Sequence, residues 1–269
     1  MSGSLLPGSS ETSARRATLV QRPRPRAPKG AELVRFRLPD CPGSLAAIAG
    51  HLAAYEVDVL RLEVLGCQGG YAIDDLLLSG PGLDSALSDL PAPVSVLARR
   101  PGIDLRDPAL AMASACASVT AAGDGKEAHR SLVRAALELV FAEAGLLCLR
   151  QDDGSLRIAA STEPDVPLLV DGNAASLLSS ALYSGECLTA DGRIPWAPPG
   201  YRDNLPSGAV AAIPGGSPAS LVLVLLRDDP APFVAAELDR LAALVGVAVG
   251  TLQLHEGRRA WQPSAGFAL

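Results

Sequence analysis

Aromatic residues make up only 4% of the 269 positions, and lysine occurs only at Lys29 and Lys126. So few rings leave little from which to build a base-stacking surface for single-stranded nucleic acid. The histidines are His51, His129 and His255, and none has a second histidine, a cysteine or a paired carboxylate at ligand spacing. A metal centre or a Ser-His-Asp triad therefore has nothing local to grow from. Cys41, Cys67, Cys116, Cys148 and Cys187 form no Cys-x-x-Cys pair, and their number is odd. That excludes a zinc knuckle and a disulfide framework, and it predicts reduced thiols in the cytoplasm. There is no Gly-x-Ser-x-Gly elbow, no P-loop and no Gly-x-Gly-x-x-Gly opening a βα unit, so neither a cofactor nor a catalytic motif is expected. Long apolar runs are missing too. Residues 241–254 are too short to cross a bilayer, and only Leu5 and Leu6 precede Pro7 at the start, so neither a membrane span nor a signal peptide is expected.

What is present is a core. Apolar residues reach 48% and charged ones only 19%, over a length that exceeds one average domain. The net charge is −6, yet Arg15, Arg16, Arg22, Arg24, Arg26 and Lys29 face only Glu11 in the first thirty residues. The body is thus more acidic than the whole and repels phosphate backbones, which argues against nucleic acid as a partner. Pro23, Pro25 and Pro28 stand among the arginines and prevent an amphipathic helix. Residues 1–30 read as a disordered basic tail.

Residues 32–38 alternate in part and stop at Pro39, which predicts a strand. Pro42 and Gly43 make a turn, Ser44 is a plausible N-cap, and Leu45, Ile48, Ala49, Leu52 and Tyr55 recur at helical spacing. Residues 57–65 form a second strand with Leu60, Leu62 and Val64 on one side and Arg61 and Glu63 on the other. Glycines then permit a reversal into a strand at 71–78. A short helix within 81–90 and a strand at 94–98 complete βαββαβ, the order of an antiparallel sheet covered by two helices. Residues 99–108 lack periodicity and mark a linker. Beyond it, 109–122 and the strongly periodic stretch from Leu132 to Ala144 predict helices. A hairpin is predicted at 146–161 around Asp153 and Gly154, a helix at 173–183, and strands at 209–214 and 220–227. The last helix, 233–254, carries Leu241, Leu244, Val245, Val247, Ala248, Val249 and Leu252 and leaves almost no polar face in its second half. Such a helix needs cover on both sides, and a partner subunit is the expected second cover. The fold class is α+β, with domains at 31–98 and 109–255 and a C-terminal tail at 256–269.

The run Val34-Arg-Phe-Arg-Leu-Pro-Asp40-Cys-Pro42-Gly43-Ser-Leu45-Ala-Ala-Ile48, with Gly70-Tyr-Ala-Ile-Asp74 and Leu76-Leu-Leu78, resembles an ACT domain. It is most similar to the ACT repeats of nitrogen-sensing uridylyltransferases, although Asp75 and Leu76 depart from the usual pattern and no nucleotidyltransferase segment accompanies it. The resemblance implies a ferredoxin-like module that pairs side by side and binds an amino acid near the strand-to-helix turn, at Asp40, Cys41, Pro42, Gly43, Ser44 and Leu45. Helix-start amides favour a carboxylate there, and Asp40 suits an ammonium. Alternatively, Pro42 and Gly43 only make the turn and Asp40 only caps it.

The second half resembles a GAF domain, through Ala209-Val-Ala-Ala-Ile-Pro214, Ala219-Ser-Leu-Val-Leu-Val-Leu-Leu226 and Phe233 with Glu237, Leu238, Leu241 and Val245. This implies an antiparallel sheet with flanking helices and a small-molecule site under a variable loop. Arg193, Trp196, Tyr201 and Arg202 are candidate walls for a planar anionic ligand; a proline-rich loop also packs a tryptophan onto its own domain. Cys187 has no histidine beside it, and a bilin is not expected. Asp74 and Asp75 are adjacent in a strand, hence on opposite faces, and make no acid and base pair. Arg258, Arg259, Trp261 and Phe267 form a polar tail that either frays or docks. The expected protein is a cytoplasmic, homodimeric, non-catalytic sensor of an amino acid and of a metabolite or nucleotide. It would act on a separate partner protein, because no output motif is present on the chain. A ligand-free adaptor and a catalytic GAF-like domain are the alternatives.

Overall fold

The computed structural model describes residues 30–101, 107–153, 155–162, 169–170, 180–181, 184–191, 209–216, 219–227 and 233–260. Its first unit is built as β1 (Glu32–Pro39), α1 (Ser44–Ala54), β2 (Asp58–Gln68), β3 (Tyr71–Ser79), α2 (Leu83–Ser88) and β4 (Ser95–Pro101). The sheet runs in the order β2-β3-β1-β4 and is antiparallel throughout. One face carries Val34, Phe36, Leu38, Leu76 and Leu78, sealed by Ile48 and Leu52 of α1 and by Leu83 and Ala86 of α2. Each leucine so buried contributes about 2 kcal/mol. His51 links the two helices, its Nε2 lying 2.8 Å from the carbonyl of Ala86.

Two local expectations change, and a third feature is specified. Gly43, not Ser44, occupies the N-cap of α1, in a left-handed conformation (φ 94°) that a side chain would strain, and no side chain caps the helix. β4 runs on through Arg99 and Arg100 into the stretch expected to be linker, because Arg99 is held by Glu32 of β1 and Asp84 of α2. On β2 the apolar side of the alternation is the exposed one. Val59, Leu60, Leu62 and Val64 are exposed, the last at 60%, while Arg61 and Glu63 are partly covered. The reason is position: β2 is an edge strand that α1 and α2 do not reach across, and its other face meets the second unit.

The second unit begins with α3 (Pro108–Thr120), capped by the carboxylate of Asp107, which accepts from the N–H groups of Ala109 and Leu110. α4 (Gly125–Val140) has a capping box: Asp124 accepts from the N–H of Glu127, and Glu127 accepts from that of Gly123. β5 (Ala144–Arg150), β6 (Leu156–Ser161), β7 (Leu169–Val170), β8 (Leu188–Asp191), β9 (Ala209–Gly216) and β10 (Ala219–Arg227) form one antiparallel sheet in the order β7-β6-β5-β10-β9-β8. β10 is buried on both faces, which accounts for its unbroken apolar run.

The last helix, α5 (Ala235–Ala260), continues into the stretch expected to be tail. It lies on β9, where Gly215 leaves the room: an added Cβ would stand 2.4 Å from a methyl of Val245. Its second cover comes in part from this chain, because α3 and α4 pack on it as well. Its exposed positions include the small residues Ala242, Ala243 and Gly246, and Leu254 is 67% exposed. The tail from Trp261 onward, the arm before Gly30 and most of the expected 173–183 helix lie outside the described residues. No helix among the described residues is long and apolar enough to cross a membrane.

Candidate functional site

Two places bring polar groups together. The first is the turn from β1 into α1, where the chain holds its shape with few bonds. The Asp40 N–H donates to the carbonyl of Gly70 at 3.0 Å, the Ser44 N–H to that of Cys41 at 3.3 Å, and the Cys41 Sγ lies 3.1 Å from the Ser44 Oγ. Ala47 makes the first regular helical bond, to Gly43. With no capping side chain, the N–H groups of Leu45 and Ala46 have no intrahelical acceptor and carry the positive end of the helix dipole. Asp40, Cys41, Pro42, Gly43 and Leu45 are exposed and Ser44 is half-buried, so the six residues expected to form a site lie together at an open turn.

Two further polar side chains of the same sheet, Cys67 and Asp74, were not singled out by the sequence as ligand groups. Cys67 of β2 hydrogen-bonds to Asp40, and that bond, with desolvation and the nearby charge of Asp74, pushes its thiol up. Asp74 of β3 is 3% exposed, on the helix-covered face with Phe36 opposite it in β1 and Val64 in β2. Its Oδ1 is shielded from solvent and has no hydrogen-bond partner. Burial pushes its carboxyl up, and the charges of Asp75 and Asp40 act in the same direction.

The second place is the joint between the two units. Arg35, 1% exposed in the middle of β1, donates from Nε and Nη2 to the two carboxylate oxygens of Asp75, both at 2.8 Å. The same Nη2 lies 2.9 Å from Oε1 of Glu237, at the start of α5. Glu237 also accepts from Arg227 of β10 at 2.7 Å, and Arg227 donates to the carbonyl of Val140 and stands 4.1 Å from the ring centroid of Phe233. Two acids and two guanidiniums are thus buried as one neutral cluster. Burial opposes the charge of Glu237, but Arg35 and Arg227 overcome it and hold the carboxyl below the usual carboxylate range. Leu65, Ile73 and Val234, with Leu97 against them, form a small apolar patch at the same joint, and Arg240 of α5 pairs with Glu63 of β2.

Beside the joint runs an open cleft of about 400 Å³, with Ala115 and Ala135 among its lining and Arg134, Arg240, Glu63 and Glu138 contributing two charges of each sign. Arg193, Trp196, Tyr201 and Arg202 lie outside the described residues. Cys187 is half-buried, and burial pushes its thiol up, as it does that of Cys148, to about 12. Among the described residues no group of histidine, cysteine and carboxylate is arranged to hold a metal ion.

No protein-family model matches the sequence, and no curated protein matches it. Among solved structures, the chain is similar to GAF domains. The GAF domain of an Acinetobacter phosphoenolpyruvate-protein phosphotransferase is 13% identical, over 57% of this chain and 97% of that one, with a TM-score of 0.48. A GAF domain/HD domain protein from Geobacter sulfurreducens is 22% identical over 52% of this chain and 97% of that one, with a TM-score of 0.41. The bacteriophytochrome RpBphP3 from R. palustris is 11% identical over 72% of this chain and 42% of that one, with a TM-score of 0.46.

Proposed function

We propose that this chain is a non-catalytic regulatory protein in which an ACT-type unit binds an amino acid at the turn of residues 40–45. A GAF-like unit binds a second metabolite or nucleotide, and the pair signals to a separate protein. The observation that carries the reading is the open start of α1: Gly43 holds a left-handed turn with no capping side chain, which leaves amides for a carboxylate beside the acid Asp40. The buried cluster at the joint supports transmission, because the strand that ends in this turn also carries Arg35, and Arg35 grips α5 through Glu237. A ligand shifts such a device only by binding one arrangement better than another.

The reading includes a homodimer. β2 is an unpaired edge with Val59, Leu60, Leu62 and Val64 exposed, and such an edge invites a second strand. Val64→Lys is expected to turn a dimer into a monomer in size-exclusion chromatography with light scattering; a parent chain that runs as a monomer removes this part of the reading. The same apolar edge favours the second reading, an adaptor that binds protein and no small molecule. Thermal-shift measurements with the twenty amino acids and common nucleotides separate the two. The sensor predicts a rise in Tm with at least one amino acid, lost in Gly43→Val, and the adaptor predicts no rise with any compound.

A further inference from the structure

We infer that the cleft beside the joint is a binding site for a small monocarboxylate, anchored by Arg134. It is separate from the turn of residues 40–45 and independent of what that turn binds. α3 and α4 are joined by residues 121–124 alone and pack on each other as a helical hairpin. Residues three, four and seven apart share a helix face. Ala111, Ser114, Ala115 and Ser118 therefore form one strip of α3, and Ser131, Arg134, Ala135 and Glu138 one strip of α4, and both strips line the cleft. Alanine and serine are too small to fill the space between them. About 400 Å³ remains, within the ~300–1,000 Å³ of small-molecule sites. Glu63 of β2 and Arg240 of α5 complete the walls, so both units contribute.

The polar groups on these walls select the ligand's charge. Arg240 and Glu63 are paired with each other, and Ser118 donates to the carbonyl of Ala115 at 2.8 Å. Arg134, Ser114 and Ser131 have no hydrogen bond or ion pair among the described residues, and neither has Glu138, one turn from Arg134. The guanidinium offers a fork to a carboxylate, and the two hydroxyls offer further donors. Ala115, Ala135 and Leu139 are buried and give the rest of the molecule an apolar floor. Glu138 sets the limit. A second negative charge on the ligand would meet it and Glu63, with Arg240 already engaged, so a dicarboxylate or a phosphate dianion is repelled where a monocarboxylate is held.

The end of α4 points to a ligand independently. The helix closes at Phe141 in a left-handed conformation (φ 54°) that helix ends normally give to glycine or asparagine. A bulky residue held there is strained, and such strain gathers at ligand sites. Here it sets an aromatic wall on the cleft where a glycine cap would leave none. Arg100 of β4 stands 5.7 Å from the ring centroid, and the carbonyl of the preceding Val140 is held by Arg227 of the buried cluster.

The test uses the full chain. The probes are butyrate, isovalerate, benzoate and phenylacetate as sodium salts, the amide of each, succinate, glutarate and inorganic phosphate, with binding read by calorimetry and thermal shift. At least one of the monocarboxylates is expected to bind, its amide to fail, and Arg134→Gln to weaken binding about tenfold or more. Ser114→Leu, which fills the cleft from an exposed position, is expected to abolish binding. Without ligand both variants are expected to melt within about 2 °C of the parent, which separates lost recognition from lost folding. Glu138→Gln is expected to admit glutarate. Failure of every monocarboxylate overturns the inference. Binding that survives both Arg134→Gln and Ser114→Leu overturns it too, and if Gly43→Val then removes that binding, the ligand sits at the turn. Equal binding of the amides, of glutarate or of phosphate to the parent chain overturns the monocarboxylate assignment.

Discussion

Asp74 and Asp75 are consecutive on β3 and are treated oppositely by the two faces of one sheet. On the joint face, Asp75 enters a neutral cluster with Arg35, Glu237 and Arg227, and its two oxygens bond to one guanidinium. On the helix face, Asp74 stands between Phe36 of β1 and Val64 of β2, and its Oδ1 has no hydrogen-bond partner. One strand thus carries a paired acid on one face and an acid with an unpartnered oxygen on the other. A satisfied cluster fixes geometry, and an unsatisfied buried group costs stability.

The largest way to break this contrast is to unbalance the joint. Glu237→Ala leaves two guanidiniums buried with too little counter-charge and is expected to cost about 3–5 kcal/mol in urea unfolding, with the two units no longer melting together. Replacing Arg35, Asp75, Glu237 and Arg227 together by apolar residues of similar volume is expected to restore most of that loss.

pH sharpens the contrast, since the two acids act with opposite sign. The Glu237 carboxyl is held below its ordinary 4.5, so its contribution is complete above that value and is lost as the pH falls through its folded value. The Asp74 carboxyl is held above its ordinary 3.8, so below that value it costs nothing. Its cost grows as the pH rises from 3.8 through its folded value. Asp74→Asn is therefore expected to raise Tm at pH 7, by on the order of 1 kcal/mol in stability, and to match the parent below about pH 4. A uniform gain across pH removes the charge from the explanation. The smallest effect is expected at the rim of the joint: Glu63 and Arg240 are both partly exposed, and Glu63→Gln is expected to cost less than about 1 kcal/mol.

Much of this was legible in the sequence, because periodicity and turn residues report local structure. The strand-helix-hairpin order up to β4, the amphipathic α4 and the hairpin of β5 and β6 all follow from spacing. The turn of residues 40–45 was legible through Pro42 and Gly43, and the opposite faces of Asp74 and Asp75 follow from the pleat. What stayed hidden depends on neighbours distant in the chain. Leu60, Leu62 and Val64 look like an inward face until the sheet order places β2 at an edge. Arg35 looks like a solvated residue between two apolar ones, and its partner Glu237 lies 202 residues on. One signal was available: Glu237 recurs in the opening turn of a helix led by Phe233 and Val234, where an acid reaches back to the Val234 N–H.

That separation of 202 residues bears on how the protein is made. Synthesis runs from the N-terminus, so Arg35 and Asp75 leave the ribosome early and meet within the first sheet, while Glu237 and Arg227 follow only near the end. Until then the first unit presents the neutral Arg35–Asp75 pair without the bond from Arg35 to Glu237, beside the apolar Leu65, Ile73 and Leu97, on a face that the finished protein covers. The joint thus closes among the last steps of biogenesis, and a chain cut short before α5 exposes a buried-type ion pair and a greasy patch that a quality-control protease or chaperone can recognise.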